Sequence, residues 1–373
     1  MLTIRKNFPV FVTGASGFIG RKLAERLLAD GRRVRVLSRR PLPELEARGA
    51  EVVLGDLHDR HALERGCRSA DTVFHVAGRV GVWGPPDDFF RVNVGGTRNL
   101  LAACRDAKVP RLVYTSSPSV VYNGGDLRNV DESAPLCTAA PCAYPTSKAA
   151  AEKLVLAAND RDLATIALRP HLVWGPGDRN VVPRVIALAR AGRLKIIGPG
   201  RNKVDITHIS NVVDAHLLAE GALLTGSEAP FSPAGKPRDE PRPSPQGESG
   251  PAPASACRAP SHPGGRAYFI TNGEPVVLWD WINEVLRGVG LPPVTQHVPL
   301  PVAYAAGAVL ETAWSLFRRP GEPPMTRFVA KEMATDHWFD ITAARRDLGY
   351  HPLVTVAQGT AELIAHYKAG NAF

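Results

Sequence analysis

The sequence predicts an α/β protein built on a doubly wound parallel sheet, with a smaller, mostly C-terminal second domain. Three observations point there. The apolar run 8–12 passes through Thr13-Gly14-Ala15-Ser16-Gly17 into residues 18–28, where apolar side chains recur at helical spacing. Further short apolar runs follow at 34–37, 51–54, 72–76, 111–114 and 164–168, and the first four of these end in small or polar residues. The 373 residues, 44% of them apolar and 22% charged, suffice for one large or two ordinary domains with full cores.

The formal net charge of +9 is spread along the chain, and no basic cluster alternates with aromatics. This reads against nucleic acid and toward anionic small molecules or an anionic membrane surface. Cys67, Cys104, Cys137, Cys142 and Cys257 form no CxxC pair and are odd in number, so neither a disulfide framework nor a metal site is expected. The first strand starts too close to Met1 to leave room for a signal peptide, and no apolar run reaches the length of a membrane span. A cytoplasmic location is the expectation.

A strand that feeds a helix through a turn almost without side chains leaves backbone N–H groups and the positive end of the helix dipole facing outward, which suits a pyrophosphate. Gly14, Ser16, Gly17, Phe18, Ile19 and Gly20 are therefore expected to hold a dinucleotide, as in a Rossmann-type sheet. The second strand ends in Ser38-Arg39-Arg40, with no acid for a ribose 2′-hydroxyl and two bases for a 2′-phosphate. A charge-assisted hydrogen bond is worth about 1.5–3 kcal/mol, so NADPH is expected over NADH by roughly ten- to a hundredfold. The third strand ends in Gly55-Asp56-Leu57, placing Asp56 and Leu57 at the adenine, and the fourth ends in Ala77-Gly78, whose small size lets the cofactor pass. His75, inside that strand, reads as a core residue.

Residues 93–104 read as a helix, and the fifth strand ends in Thr115-Ser116-Ser117. Tyr144 and Lys148 then lie four apart on one helical face. Glycine turn, serine-ended strand and Tyr-x-x-x-Lys, in this order, resemble the extended short-chain dehydrogenases/reductases. That resemblance implies Tyr144 as proton donor, Lys148 as the charge that stabilises its phenolate and holds the nicotinamide ribose, and Ser117 as the hydroxyl on the substrate carbonyl. Ser116 is the neighbouring alternative, and Ser117 is favoured as the last serine of the run.

The next strand runs into Pro170-His171-Leu172-Val173-Trp174-Gly175, which resembles the family segment beside the nicotinamide. Pro170, His171 and Val173 are expected at the cofactor; His171 is also read as a satisfied structural histidine. Asp205 and His208, in a segment resembling the one that locks the two domains, are read as interdomain hydrogen-bonding groups. The resemblance implies a dinucleotide-binding domain over 1–175 with contributions from 204–225 and 266–273, and a substrate domain over 176–203 and 274–373. Between them, 226–265 is rich in Pro, Gly and Ser with one aromatic, Phe231, and reads as a disordered insertion. Its removal over 227–264 is expected to leave turnover intact. The apolar stretch 301–317 is too short to span a bilayer and is read three ways, as a core helix, as a lipophilic entrance or as a surface lying on a membrane.

Within the family, Thr115-Ser116-Ser117-Pro118, the Gly81-Val82-Trp83-Gly84 loop and residues 169–178 resemble the 3β-hydroxysteroid dehydrogenase branch, and its ketoreductases of bacterial olefin synthesis in particular. This implies NADPH-dependent reduction of a 2-alkyl-3-oxoalkanoic acid to the 3-hydroxy acid, alongside a condensing enzyme, a β-lactone synthetase and a decarboxylating hydrolase. Trp83, Trp174 and the 301–317 helix would line an apolar channel, with Ser117 at the carbonyl and Arg79 or Arg179 toward the carboxylate. The alternatives are a steroid or sterol-carboxylate dehydrogenase, a nucleotide-sugar epimerase or dehydratase, and a non-catalytic NADPH sensor. Relatives are often dimers through helices beside the tyrosine helix, and Ala149-Ala150-Ala151 would permit close packing there.

Overall fold

The computed structural model describes residues 8–226 and 263–370. Its centre is a seven-stranded, wholly parallel sheet. The strands are β1 (Val10–Thr13), β2 (Val34–Ser38), β3 (Glu51–Leu54), β4 (Thr72–His75), β5 (Arg111–Thr115), β6 (Ala164–Pro170) and β7 (Arg266–Ile270). Their spatial order is β7-β6-β5-β4-β1-β2-β3. The chain grows outward from β1 in one direction, then crosses to β4 and grows in the other, so a crevice opens at the C-terminal ends of β1 and β4.

Each strand alternates faces, and both faces are covered. Val10 and Val12 pack into a cluster with Leu23, Ala24 and Leu27 of helix α1 (Phe18–Ala29), while Phe11 between them joins the opposite cluster. That opposite layer is built by α2 (Arg60–Cys67), α3 (Gly96–Asp106) and α4 (Ala143–Ala157), through Leu63, Leu100, Ala151 and Val155. Helix α5 (Ile209–Gly226) returns beside α1 and contributes Val213, Ala219 and Leu223. Strands buried on both faces need near-continuous apolar runs, which is what residues 10–12, 112–114 and 166–168 provide.

A four-stranded sheet lies outside this layer, in the order Val276–Val277, Lys203–Val204, His337–Phe339, Leu127–Val130. Its last strand comes from within 1–175, so the smaller sheet borrows from the N-terminal half. Conversely, the helix Thr342–Leu348 packs on the main sheet through Ala344 and Leu348. A third core, holding Trp174, Trp279, Trp281, Ile282 and Leu363, joins the helices Val181–Arg190, Leu278–Gly288 and Val356–Lys368.

Several expectations change here. The helix expected over 93–104 begins at Pro86 and contains a π-helical stretch, Phe90–Gly95, before α3. Most of the 226–265 insertion lies outside the described residues; Gly226 is the last helical residue of α5, and the Gly265 N–H bonds Thr165 O at 2.7 Å, so pairing with β6 starts before Arg266. The helix Leu300–Leu316 is neither a core helix nor an entrance. One line, Ala303, Gly307 and Glu311, faces inward, and Glu311 accepts from the Arg327 N–H and Nε at 2.7 and 2.6 Å. The opposite face exposes Val302, Val309 and Leu316. Of the alanine run, Ala149 and Ala151 are buried inside the two main-sheet layers, which leaves Ala150 on the open side. Among the described residues no helix is long and apolar enough to cross a membrane.

Candidate active site

The crevice at the C-terminal edge of the sheet is a cleft of about 1190 Å³. At its floor, Gly14 takes φ +78°, and a Cβ there would meet the Ala77 nitrogen at 2.7 Å. A Cβ on Gly20 would meet Gly14 O at 2.4 Å, so helix α1 can start against the turn only because both positions lack side chains. Gly17 caps α1 without a side-chain hydrogen bond, and the first turn holds no acid. The N–H groups at the start of the helix are therefore free for an anion, and the cradle fits a dinucleotide pyrophosphate. Ser16, Phe18 and Ile19 line it together with the glycines.

Farther along, Ser38, Arg39, Asp56 and Leu57 line the same cleft, and Arg39 also borders a side pocket with Gly55, Asp56, His58 and Asp59. Arg40 does not line it; its backbone N–H caps onto Ser38 Oγ at 3.3 Å and its side chain turns to solvent. Ala77, Gly78, Pro170, His171 and Val173 line the middle of the cleft. His75 is fully buried between the Thr13 and Thr97 hydroxyls, each at 2.9 Å, and burial together with the Lys148 charge lowers it to about 3. It is a core residue.

Ser117, Tyr144 and Lys148 meet in the cleft beside Ala77 and Gly78. The serines are at the end of β5, where the strand turns into the short helix Pro118–Val121. The Ser117 hydroxyl caps that helix from Ser119 N–H at 3.2 Å and pairs with Ser119 Oγ at 2.9 Å. Ser116 turns the other way and gives its proton to the buried Glu152 carboxylate at 2.6 Å, which Arg169 grips through Nε and a terminal nitrogen at 3.0 and 2.6 Å. Both serines line the cleft, but the Ser116 hydroxyl is spent on Glu152, whereas the Ser117 hydroxyl meets Ser119 on its own short helix.

Tyr144 sits in the first turn of α4 and Lys148 one turn on. Burial pushes the Tyr144 phenol above its ordinary value, opposed by a hydrogen bond with Ser117. Burial lowers Lys148 to about 7, opposed by the Glu152 charge one further turn along the helix. The Lys148 ammonium donates to Thr115 O at 2.7 Å and lies 4.2 Å from the centre of the Tyr114 ring.

Asn93, in the π-helical stretch, bonds both backbone groups of Arg79, at 2.7 and 3.0 Å, and donates to Ser147 Oγ at 3.0 Å. Ser147 in turn donates to Tyr144 O at 2.9 Å, so one amide ties the start of α4 to the strand end that borders the cleft. The sequence signals neither Asn93, whose partners are 14 and 54 residues away, nor Glu152, whose partners are 17 and 36 residues away.

The substrate side departs from expectation. Trp174 is not in the cleft: it is fully buried, edge-on to His208 and Trp281 with centroids 5.2 Å apart in each case. Trp83 does not line the cleft either, and the lining takes nothing from the helix Leu300–Leu316. Val82, Leu172, Val181, Pro183, Ala187 and Phe328 provide the apolar wall instead. Arg79 and Arg179 line the cleft, as do a paired Arg184 and Glu322, 3.1 Å apart, and Glu332, which sequence reasoning missed. His171 Nε2 lies 2.7 Å from His337 Nδ1 while its backbone carbonyl accepts from Thr207, so it both borders the cleft and joins the two sheets. Asp205 accepts from the Phe339 N–H at 2.8 Å, and the His208 N–H donates to Asn272 at 2.9 Å.

Residues 11–234 match the family described as "3-beta hydroxysteroid dehydrogenase/isomerase family". The chain is 42% identical to the 2-alkyl-3-oxoalkanoate reductase of Shewanella oneidensis over 362 residues, covering 95% of this chain and 85% of that protein. It is 40% identical to the protein of the same name from Stenotrophomonas maltophilia, covering 96% and 99%. Among solved structures, one described as "MoeE5 in complex with UDP-glucose and NAD" superposes with a TM-score of 0.67 at 26% identity, covering 98% of this chain and all of the other.

Proposed function

Because this chain belongs to the 3-beta hydroxysteroid dehydrogenase/isomerase family, whose members are nicotinamide-dependent oxidoreductases of hydroxyl and ketone groups, we propose that it reduces a 2-alkyl-3-oxoalkanoic acid to the 2-alkyl-3-hydroxyalkanoic acid with NADPH. The observation that carries this reading is the meeting of Ser117, Tyr144 and Lys148 in one cleft with the glycine cradle, in a chain 40–42% identical to two reductases of that name. A bound nicotinamide supplies the hydride. The protein's part is to receive the negative charge that then grows on the carbonyl oxygen. Ser117 Oγ and Tyr144 Oη donate to that oxygen, and Tyr144 hands over its proton as the alkoxide forms. Lys148, held by Thr115 O, places a positive charge where the phenolate is left and reaches toward the nicotinamide ribose. Gly14, Ser16, Gly17, Phe18, Ile19 and Gly20 hold the pyrophosphate, Ala77, Gly78, Pro170, His171 and Val173 the nicotinamide half, and Asp56 and Leu57 the adenine.

The NADPH preference rests on Arg39 beside the adenosine pocket and on the absence of an acid at the end of β2. Apolar walls at Val82, Leu172 and Phe328 suit long alkyl chains, each buried methylene contributing about 0.8 kcal/mol. The reduced acid would pass to a β-lactone synthetase in olefin synthesis. The open apolar face of the helix Leu300–Leu316, followed by Arg318 and Arg319, suits an anionic membrane surface from which such a substrate is drawn. A homodimer remains the working assembly, through faces beside α4.

The test is purified protein given NADPH or NADH with a long-chain 2-alkyl-3-oxo acid, a 3-ketosteroid and a UDP-sugar side by side. Rapid NADPH oxidation with the first alone is the expected result. Tyr144→Phe should abolish turnover while cofactor binding persists. Turnover with the UDP-sugar, or full activity of the Tyr144 variant, would refute the reading.

A further inference from the structure

His171 borders the cleft just past the end of β6, and its backbone is held on both sides. Its N–H donates to Ile270 O at 3.3 Å, and its carbonyl accepts from the Thr207 hydroxyl at 2.5 Å. The next residue, Leu172, takes φ +38°, a conformation that a side-chain-bearing residue keeps only where its surroundings impose it. The imidazole is thereby fixed against the smaller sheet, with Nε2 2.7 Å from Nδ1 of the buried His337. On its far side, His337 Nε2 lies 2.7 Å from the Glu332 backbone carbonyl. No described residue hydrogen-bonds His171 Nδ1, yet that atom is not sealed in the core. Since His171 lines the cleft, the nitrogen opens into it.

These contacts fix which ring nitrogens carry protons. A carbonyl oxygen only accepts, so His337 Nε2 is the donor to Glu332 O. In a neutral imidazole the other nitrogen is then bare, so His337 Nδ1 accepts and His171 Nε2 donates. By the same rule His171 Nδ1 is a lone pair without a proton. Burial, and after it the His337 charge, push His171 well below the ordinary histidine range, which keeps that lone pair bare. The Glu332 carboxyl stands 4.0 Å from His337 Nε2, and Asp205 accepts from the N–H of Phe339 two residues on; a second proton on His337, between these acids, would turn the relay round.

A bare acceptor in this cleft selects its ligand. The ketone and carboxylate of a 3-oxo acid, and the pyrophosphate of a dinucleotide, offer acceptors only. The donors that a nicotinamide dinucleotide brings are the adenine amine at the adenosine end, the ribose hydroxyls, of which the nearer pair is assigned to Lys148, and the carboxamide N–H groups on the ring beside Pro170 and Val173. We propose that His171 Nδ1 accepts a hydrogen bond from the nicotinamide carboxamide, and that His337 and the Glu332 carbonyl set the tautomer that lets it do so. This rests on the NADPH and keto-acid reading above. Holding the carboxamide stops the ring from turning about its ribose bond and so fixes the face shown to the ketone. His337, which reaches the cofactor only through His171, is a positioning residue.

The experiment measures Kd of the full-length protein, at about pH 8 and so above the ordinary histidine range, for NADP+ and for its 3-acetylpyridine analogue, in which a methyl group replaces the amide nitrogen and the carbonyl stays. Wild type should bind NADP+ roughly tenfold more tightly, because the analogue leaves Nδ1 facing a methyl group. His171→Phe should bring the ratio close to one. So should His337→Phe, which leaves His171 free to carry its proton on Nδ1; a merely structural role for His337 would weaken both probes alike and keep the ratio. NMR of the wild type with isotope-labelled histidine and NADP+ bound needs no variant, and should show His171 protonated at Nε2 alone. A wild-type ratio near one, a ratio unmoved by either substitution, or a proton on His171 Nδ1 overturns the proposal. Wild-type turnover of the keto acid with NADPH is read alongside: a ratio near one in a protein that reduces the keto acid defeats this proposal alone, whereas binding of neither probe defeats the cofactor reading with it.

Discussion

Replacing Ser116 and Ser117 in turn by alanine tests the division of labour at the end of β5. Ser116 gives its proton to a fully buried carboxylate at 2.6 Å, and Ser116→Ala removes a charge-assisted bond while leaving Arg169 on Glu152. A buried hydrogen bond to a charged group is worth about 1.5–3 kcal/mol, and the surviving Arg169 pair places the cost toward the lower end. Ser117 lines the cleft, and in the proposed mechanism its loss removes one donor to the developing oxyanion, about 2.7–4 kcal/mol or roughly 10²- to 10³-fold in kcat. The expected pattern is crossed. Urea unfolding should show Ser116→Ala destabilised by about 1.5–2 kcal/mol with kcat within roughly threefold of wild type, and Ser117→Ala of near-native stability with kcat down roughly a hundredfold or more. NADPH oxidation followed by absorbance reads kcat. If Ser116→Ala is the variant that loses turnover, or if both lose it equally at native stability, the geometry has been misread.

Three further outcomes follow from other parts of the molecule. Arg39→Ala should lower kcat/KM with NADPH by roughly ten- to a hundredfold and leave NADH unchanged; equal losses with both cofactors would remove Arg39 from the 2′-phosphate. Trp174→Ala, in the third core, should cost about 3–5 kcal/mol in urea unfolding while KM of the folded fraction holds, and a raised KM without destabilisation would return Trp174 to the cleft. Burial raises Asp205 to about 6, above its ordinary value of 3.8, so this group favours the fold when protonated. Its contribution is present below the unfolded pKa and lost as pH rises through about 6, a decline of about 3 kcal/mol. Asp205→Asn keeps an acceptor for the Phe339 N–H and should flatten that decline in a series of Tm measurements across pH; an unchanged slope would assign it to another group.

The sequence determined the parts whose physics is local. Phe11-Val12-Thr13-Gly14 declares a doubly buried strand and a side-chain-free turn within a few residues, and Tyr144 and Lys148 share a face because a helix repeats every 3.6 residues. The bases after Ser38 are legible for the same reason, since a strand end lies at a known edge of the sheet. Trp174 shows the limit. A large apolar side chain beside a cleft motif reads equally as cleft wall and as core, and only the arrival of Trp281, from far along the chain, decided for the core. Ser116 and Ser117 are likewise adjacent letters until Arg169 and Glu152 claim one of them. Glu332, which lines the same cleft as Ser117 but is remote in sequence, carries no mark in its own neighbourhood. Periodicity and turn chemistry act over a few residues, whereas which face a side chain shows to a cleft, and what else reaches that face, is set by how distant segments pack.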